Sequence, residues 1–196
     1  VIAGEHDDQF PVDVFQTGSG TSSNMNANEV ISNRATELYG GEIGTREIHP
    51  NDHVNYGQSS NDVIPTAMHV ASLEAVERDV LPALAALRDE LEAKETEFDG
   101  VVKTGRTHLQ DATPVTLGQE FGGYRTQVEK GIERVRNTRE HLSELALGGT
   151  AVGTGLNTHP EFPELAAEYI SEETDIEFRE ADNHFEAQAA HDAMSE

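Results

Sequence analysis

The 196-residue sequence is strongly acidic, with 37 Asp and Glu residues against 13 Lys and Arg residues and a net charge of −24 at pH 7. Such a charge repels nucleic acid and anionic membranes, so we expect neither as a partner. There is no cysteine, which excludes disulfides and thiolate chemistry, and no apolar run is long enough to span a bilayer. We therefore expect a folded cytoplasmic protein whose acidic surface is typical of salt-loving organisms.

Shorter helices are predicted from Asn26 to Leu38, ended by glycines 40 and 41, and from Glu164 to Ile170. A last helical pattern starts near His184, with no cap or glycine before Glu196, and the sequence begins with valine. We therefore expect a partial chain. Because turn residues are concentrated before residue 61, we predict that residues 1–62 end a small, mostly helical N-terminal domain. Residues 63–196 would then form the first part of a central domain.

Two long amphipathic helices dominate the predicted secondary structure. From Thr66 to Ala93, apolar residues recur at steps of three, four and seven; Pro65 suits the first turn, whereas Pro82 should kink or break the helix. The second runs from Thr116 to Leu147, which is roughly 45 Å at 1.5 Å per residue. Because long helices are stable mainly when packed against others, the sequence predicts an all-α helical bundle.

Four segments of this acidic chain contain no Asp or Glu: residues 14–28, 53–61, 100–110 and 145–160. They are rich in Gly, Ser, Thr, Asn and His, and so bring backbone N–H groups and short neutral donors. A dicarboxylate anion needs such donors and no facing carboxylate. Any one segment could be an ordinary polar loop, but four in one chain favour anion binding.

Sequence motifs lie in these segments in a fixed order. Residues 18–21 (GSGT) and 24–26 (NMN) come first, followed by 49–55 (HPNDHVN) with 58–62 (QSSND), then 105–112 (GRTHLQDA) and 148–155 (GGTAVGTG). In this order they resemble the signature regions of the fumarase/aspartase superfamily, over nearly the whole chain. The class II fumarases match best, because aspartases usually carry Gln at the position of His108. Residues 56–57 (YG) depart from the Lys-Ser that is usual in fumarases.

The resemblance implies a reaction and an assembly. Class II fumarases add water to fumarate to give L-malate, need no metal or cofactor, and form homotetramers whose active sites draw on three subunits. Their loop with a catalytic Ser and a Lys is not found in these residues, so residues 1–196 alone are expected to be inactive. The alternatives are an aspartate ammonia-lyase or related lyase, and an inactive oligomeric scaffold.

The resemblance also implies residue roles. His108 would be catalytic, since imidazole moves protons near neutral pH; the Glu that pairs with it in the family would lie beyond Glu196. The residues that match substrate-binding positions are Ser19, Gly20, Thr21, Ser59, Ser60, Asn61 and Thr107. Some could instead cap helices, Ser60 the one near Pro65 and Ser22 or Ser23 the one near Asn26. Both roles are compatible, because a helix N-terminus also binds anions.

A second dicarboxylate site is implied by residues that match a further fumarase site: Arg46, His49, Pro50, Asn51 and Asp52. A metal site is the alternative, since His49 and His53 are four residues apart with Asp52 between them. We expect no metal, because Pro50 disfavours a continuous helix through His49 and no third ligand motif is visible. The simplest alternative is a capped turn stiffened by Pro50.

Overall fold

The computed structural model describes residues 1–196 and confirms an all-α fold with two short strand pairs. The elements in chain order are α1 (Thr21–Tyr39), α2 (Ser60–Ala75), α3 (Leu81–Glu97), β1 (Val102–Thr107), β2 (Gln110–Thr116), α4 (Leu117–Asn137), α5 (Arg139–Leu142), β3 (Glu144–Leu145), α6 (Phe162–Thr174), β4 (Arg179–Glu180) and α7 (His184–Ala189). No helix combines the length and the apolar character needed to cross a membrane.

Contacts divide the chain into two compact units. The first contains Val1–Ala71 and Leu142–Glu196, and the second contains Ser72–His141. The first unit has an apolar core of seven buried residues: Leu142, Leu145, Ala146, Ala167, Ile176, Phe178 and Ala181. In the second unit Leu73 and Ile132 are buried. The predicted domains, residues 1–62 and 63–196, stay a prediction.

The first long helix is interrupted, as the sequence predicted. Five residues, Val76–Val80, adopt π-helical geometry before α3, and Pro82 occupies the first turn of α3. Because Pro82 has no N–H to donate, the ordinary i to i−4 bond cannot form there, and the helix takes π-helical hydrogen-bond spacing over Val76–Val80 before α-helical spacing resumes in α3. The predicted start at Thr66 is wrong: α2 begins at Ser60 and Pro65 lies inside it.

The second long helix is shorter than predicted. Thr116 caps α4 through a capping box with Gln119, but the helix ends at Asn137. After the short α5, residues Glu144–Leu145 form β3, which pairs in parallel with β4. Leu145 is 1% exposed in the first unit. Tertiary pairing therefore overrides the helical spacing that extended the prediction to Leu147.

The shorter helices also begin before their predicted starts. Helix α1 starts at Thr21, five residues ahead of Asn26, and α6 starts at Phe162 and continues to Thr174. The buried face of α1 is polar, since its buried residues are Asn24, Asn28, Ser32 and Thr36, one every four positions. An apolar pattern cannot reveal such a face. The helical pattern that starts near His184 has no stop signal before Glu196, but α7 ends at Ala189.

Helices α3 and α4 pack closely where the first ends and the second begins. Gly118 and Gly122 are buried on α4, and a Cβ built on Gly118 would lie 2.5 Å from the carbonyl oxygen of Glu95. The N–H of Gly118 donates to the carbonyl of Phe98, and the rings of Phe98 and Phe121 are 5.5 Å apart. Arg125 adds a 2.7 Å ion pair with Glu95. Strands β1 and β2 form an antiparallel hairpin between the two helices in the chain.

Candidate functional site

Three of the four acid-free segments are joined by hydrogen bonds in the first unit. The amide of Asn24 donates to Ser60 Oγ at 2.9 Å, which links residues 14–28 to residues 53–61. The amide of Asn61 donates to the carbonyl of Ala151 at 2.7 Å, which links residues 53–61 to residues 145–160. The predicted substrate-binding residues of α1 and α2 therefore lie on connected segments.

The N-terminus of α1 is open to an anion. Gly20 precedes the helix with a positive φ of 67°, and as the N-cap residue it has no side chain to accept an N–H of the first turn. A Cβ on Gly20 would lie 2.7 Å from Ile64 Cδ1, so the positive φ and the close approach of Ile64 both favour glycine here. The hydroxyls of Ser19 and Thr21 are exposed and 3.2 Å apart. The predicted cap Ser23 instead accepts a bond from the Gln16 amide, and Gln16 Oε1 accepts the N–H of Ser23 at 3.2 Å. The N–H groups of Thr21 and Ser22 are the ones left for a ligand.

The N-terminus of α2 is capped by Ser59 and not, as predicted, by Ser60. Ser59 Oγ accepts the N–H of Asn61, and Asp62 Oδ1 accepts the N–H of Ser59 at 2.9 Å. The Ser59 hydroxyl still has its proton to donate. Ser60 Oγ likewise accepts from Asn24 and keeps its proton, and the exposed amide of Asn61 uses one of its two N–H groups on Ala151. All three side chains therefore keep a donor that a ligand can use.

Thr107 and His108 lie in the second unit, at the end of the hairpin. Thr107 pairs with Gln110, so His108 and Leu109 are the two turn residues. Both have positive φ, 47° and 59°, as two-residue turns of type I′ require. Both are exposed, and Leu109 is 96% exposed. The imidazole of His108 is therefore held at a hairpin tip, open to a ligand.

A cleft of about 480 Å³ lies along the same hairpin, lined by Lys103, Thr104, Gly105, Arg106, Val115, Gln119 and Glu120. Its charges are mostly paired. Glu120 accepts bonds from Lys103 and from Tyr124, and these hold the pKa of Glu120 below its usual value. The bond to Glu120 in turn raises the pKa of Tyr124. Arg106 pairs with Asp111 at 3.2 Å. Thr107 and His108 do not line this cleft.

The backbone of Leu109 gives a direct test of the turn. Leucine at positive φ costs about 1–2 kcal/mol, and glycine avoids this strain. Glycine in turn destabilises by about 0.5–1 kcal/mol, because it loses more conformational entropy on folding. Leu109→Gly is therefore expected to raise the free energy of unfolding of the intact protein by about 0.5–1 kcal/mol. Chemical denaturation measures it. Val102→Gly, at an exposed strand position of the same hairpin, is the control and should destabilise. Equal losses in both variants would contradict the turn geometry.

The second predicted anion site forms a capped π-helical turn, Pro50–Val54, that packs on α1. His49 Nδ1 accepts the N–H groups of Asn51 and Asp52 at 3.3 and 3.2 Å, so those donors are already used. His53 Nδ1 accepts the N–H of His49 at 2.7 Å. Arg46 is exposed and 3.6 Å from Glu29. The capped turn of the sequence analysis is therefore present, and anion binding at Arg46, His49, Pro50, Asn51 and Asp52 stays a prediction.

Comparison with known proteins identifies the family. A model of the family described as "Lyase" matches residues 1–196. The chain belongs to this lyase family.

Individual relatives show which members of the lyase family the chain resembles. The chain is 81% identical to the "Fumarate hydratase class II" of Halobacterium salinarum, over all of this chain and 42% of that protein. It is 61% identical to the mitochondrial fumarate hydratase of Saccharomyces cerevisiae, over 40% of that protein. The crystal structure of class II fumarase from Schistosoma mansoni superposes with a TM-score of 0.93 at 44% identity, covering 98% of this chain and 43% of that one. The chain thus spans about 40% of the length of these relatives.

One residue of the candidate site, Asp62, belongs to the 58–62 motif but was given no role from the sequence. It is fully buried, and its Oδ2 accepts the N–H groups of Gly148 and Thr150 at 3.0 and 2.8 Å. Burial raises its pKa, and the N–H bonds from Ser59, Thr150 and Gly148 act in the opposite direction. The available signal was its position three residues after Ser59, where an acceptor completes a cap.

Proposed function

We propose that this chain is part of a class II fumarate hydratase, which adds water in anti fashion across fumarate to give L-malate. The observation that carries the proposal is the joining of three acid-free segments in the first unit, next to the N-terminus of α1, where the N–H groups of Thr21 and Ser22 are left for a ligand. Exposed donors on Ser19, Thr21 and Asn61 suit a dicarboxylate, which they bind without adding charge. The fumarate hydratase names of the relatives agree with this chemistry.

His108 has the proton-transfer role in the proposed reaction. In the direction from malate to fumarate, a proton leaves the carbon next to one carboxylate, and that carboxylate becomes a dianion. Preorganised donors such as Asn61 stabilise this charge, and hydroxide leaves the neighbouring carbon. The exposed imidazole at the hairpin tip supplies a side chain that can both accept and donate a proton.

An absorbance assay tests the reaction. L-Malate added to the intact protein should produce the ultraviolet absorbance of fumarate, and L-aspartate should not. Fumarate formed from L-aspartate would assign the protein to the ammonia-lyases. No fumarate from either substrate would favour the scaffold alternative. No metal or cofactor is added in this assay, since the proposal requires none.

A homotetramer is the proposed assembly. Helix α3 has 17 residues and none of them is buried, and Leu87 on α3 is 48% exposed, as is 44% of Tyr124 on α4. Apolar helix faces of this kind are stable when they are covered by other helices. Light scattering on the intact protein should give the mass of four chains. The cytoplasmic location stays a prediction.

Salt dependence follows from the acidic composition, which we propose reflects a salt-loving source. Repulsion among the acidic side chains opposes folding, and salt screens it, because the Debye length falls from about 10 Å at 0.1 M to about 3 Å at 1 M. The melting temperature of the intact protein is therefore expected to rise steeply with KCl. A melting temperature that stays level from dilute buffer to molar KCl would contradict this proposal.

A further inference from the structure

Asp62 is the most deeply buried acid of the first unit that the proposed reaction does not use. It has no exposed surface, and no cation is among its hydrogen-bond partners. A buried carboxylate without a cation is costly, and it is retained in a fold when its oxygens satisfy several donors. Asp62 does this with backbone N–H groups alone.

The two carboxylate oxygens of Asp62 face different segments. Oδ1 accepts the N–H of Ser59, which precedes α2, at 2.9 Å. Oδ2 accepts the N–H groups of Gly148 and Thr150, about 90 positions further along the chain, at 3.0 and 2.8 Å. One side chain therefore fastens the 148–150 loop to the first turn of α2.

The neighbours of Asp62 are predicted ligand-binding residues. Asn61, immediately before it, donates to Ala151, which follows the same loop. The hydroxyl of Ser59 accepts the N–H of Asn61, so the orientations of Ser59 and Asn61 depend on each other. Thr150 has a positive φ of 57°, a conformation that the surrounding bonds must maintain. A displacement of the loop would therefore move both ligand donors.

We infer that Asp62 is a positioning residue for dicarboxylate binding, an inference that rests on the proposed function. Its carboxylate sets the distance between α2 and the 148–150 loop and thereby orients Ser59 and Asn61 toward the ligand. Asp62 does not contact the ligand itself. Its loss should therefore weaken binding of the dicarboxylate more than it slows the chemical step.

Asp62→Asn in the intact protein is the test, because asparagine has the same shape but only one acceptor oxygen. Its NH₂ group would face a backbone N–H in place of an acceptor, so at least one of the three bonds must be lost. We expect KM for L-malate and Kd for succinate, a dicarboxylate that cannot be dehydrated, to rise about 10- to 100-fold, as for hydrogen bonds to charged groups. The value of kcat should change less than KM.

Ser171→Ala is the matched control. Ser171 lies on α6 in the same unit, and its hydroxyl accepts the N–H of Phe178 at 2.8 Å, so the variant also removes an acceptor from a backbone N–H. It should lower the melting temperature and leave KM and the succinate Kd unchanged. If Asp62→Asn also lowers only the melting temperature, Asp62 has a purely structural role and the inference is wrong.

Amide hydrogen exchange in the wild-type protein keeps the test decisive if Asp62→Asn does not fold. Saturating succinate should slow exchange at Gly148 and Thr150, because ligand binding stabilises the arrangement that Asp62 holds. Unchanged exchange at both amides would overturn the inference. The proposed function is tested separately. A wild-type protein that binds succinate but does not convert L-malate would contradict the proposed reaction and leave the positioning role of Asp62 intact.

Discussion

His108→Asn in the intact protein is expected to lower kcat for malate dehydration by about 10²- to 10⁴-fold, the usual contribution of general acid–base catalysis. Asparagine tolerates the positive φ of 47° at this position, so the turn and the fold should survive. Because the lost interaction belongs to the transition state, KM should change less than kcat. Steady-state kinetics with L-malate measure both values.

Two other histidine variants make the His108 result interpretable. His159→Asn removes an exposed imidazole whose Nδ1 accepts the N–H of Glu161 at 3.3 Å, and turnover should be unchanged. His49→Asn alters the second predicted anion site and should have a small effect on turnover, since that site is not where protons move. If His49→Asn abolished turnover and His108→Asn spared it, the chemistry would belong to the other motif.

Gly118→Ala is expected to destabilise the intact protein by about 2–3 kcal/mol, at the upper end of the range for overpacking. The new methyl group would lie 2.5 Å from the carbonyl oxygen of Glu95 and 2.8 Å from the Cα and N atoms of Asp99. All three are backbone atoms, so no side chain can rotate away, and α3 and α4 must separate. The gain of about 1 kcal/mol in helix propensity does not offset this cost. Chemical denaturation measures the loss.

Gly123→Ala is the control on the same helix. A Cβ at Gly123 meets nothing within 4 Å, and the residue is exposed. This substitution should therefore stabilise by about 0.5–1 kcal/mol through helix propensity alone. The same change on one helix should thus have opposite signs at two positions five residues apart. Destabilisation of similar size at both would show that α4 disfavours alanine for a reason other than contact with α3.

The parts of the fold that follow from local chemistry could be predicted from the sequence. The interruption before Pro82 follows from a missing N–H, which needs no tertiary information. The hairpin tip could not be predicted, because His108 and Leu109 replace the Asn-Gly pair that signals a type I′ turn. The end of α4 also depends on distant residues, since β3 forms only when β4 is present to pair with it.

The sequence motifs identified the segments of the candidate site, but they did not reveal which of its side chains are buried. Motif order singled out the segments of Ser19, Thr21 and Asn61, and the structure joins these segments. Asp62 is one of 37 acidic residues, and sequence alone does not distinguish a fully buried carboxylate from those on the surface. The polar buried face of α1 was missed for the same reason, because burial of Asn24 depends on its partner Ser60 on another helix.

The glycine contact between α3 and α4 also determines where the His108 imidazole is in space. The hairpin leaves and re-enters the helix pair at this contact, where the N–H of Leu117 donates to the carbonyl of Val101. Strand β1 has six residues, so the hairpin extends about 20 Å from the contact at Gly118 to its tip. A tilt of the hairpin by about 5° at Gly118 would displace its tip by nearly 2 Å. A catalytic group misplaced by about 1 Å can cost about 10²-fold in rate. The position of the His108 imidazole therefore depends on Gly118 having a hydrogen atom and not a methyl group, at the opposite end of the hairpin.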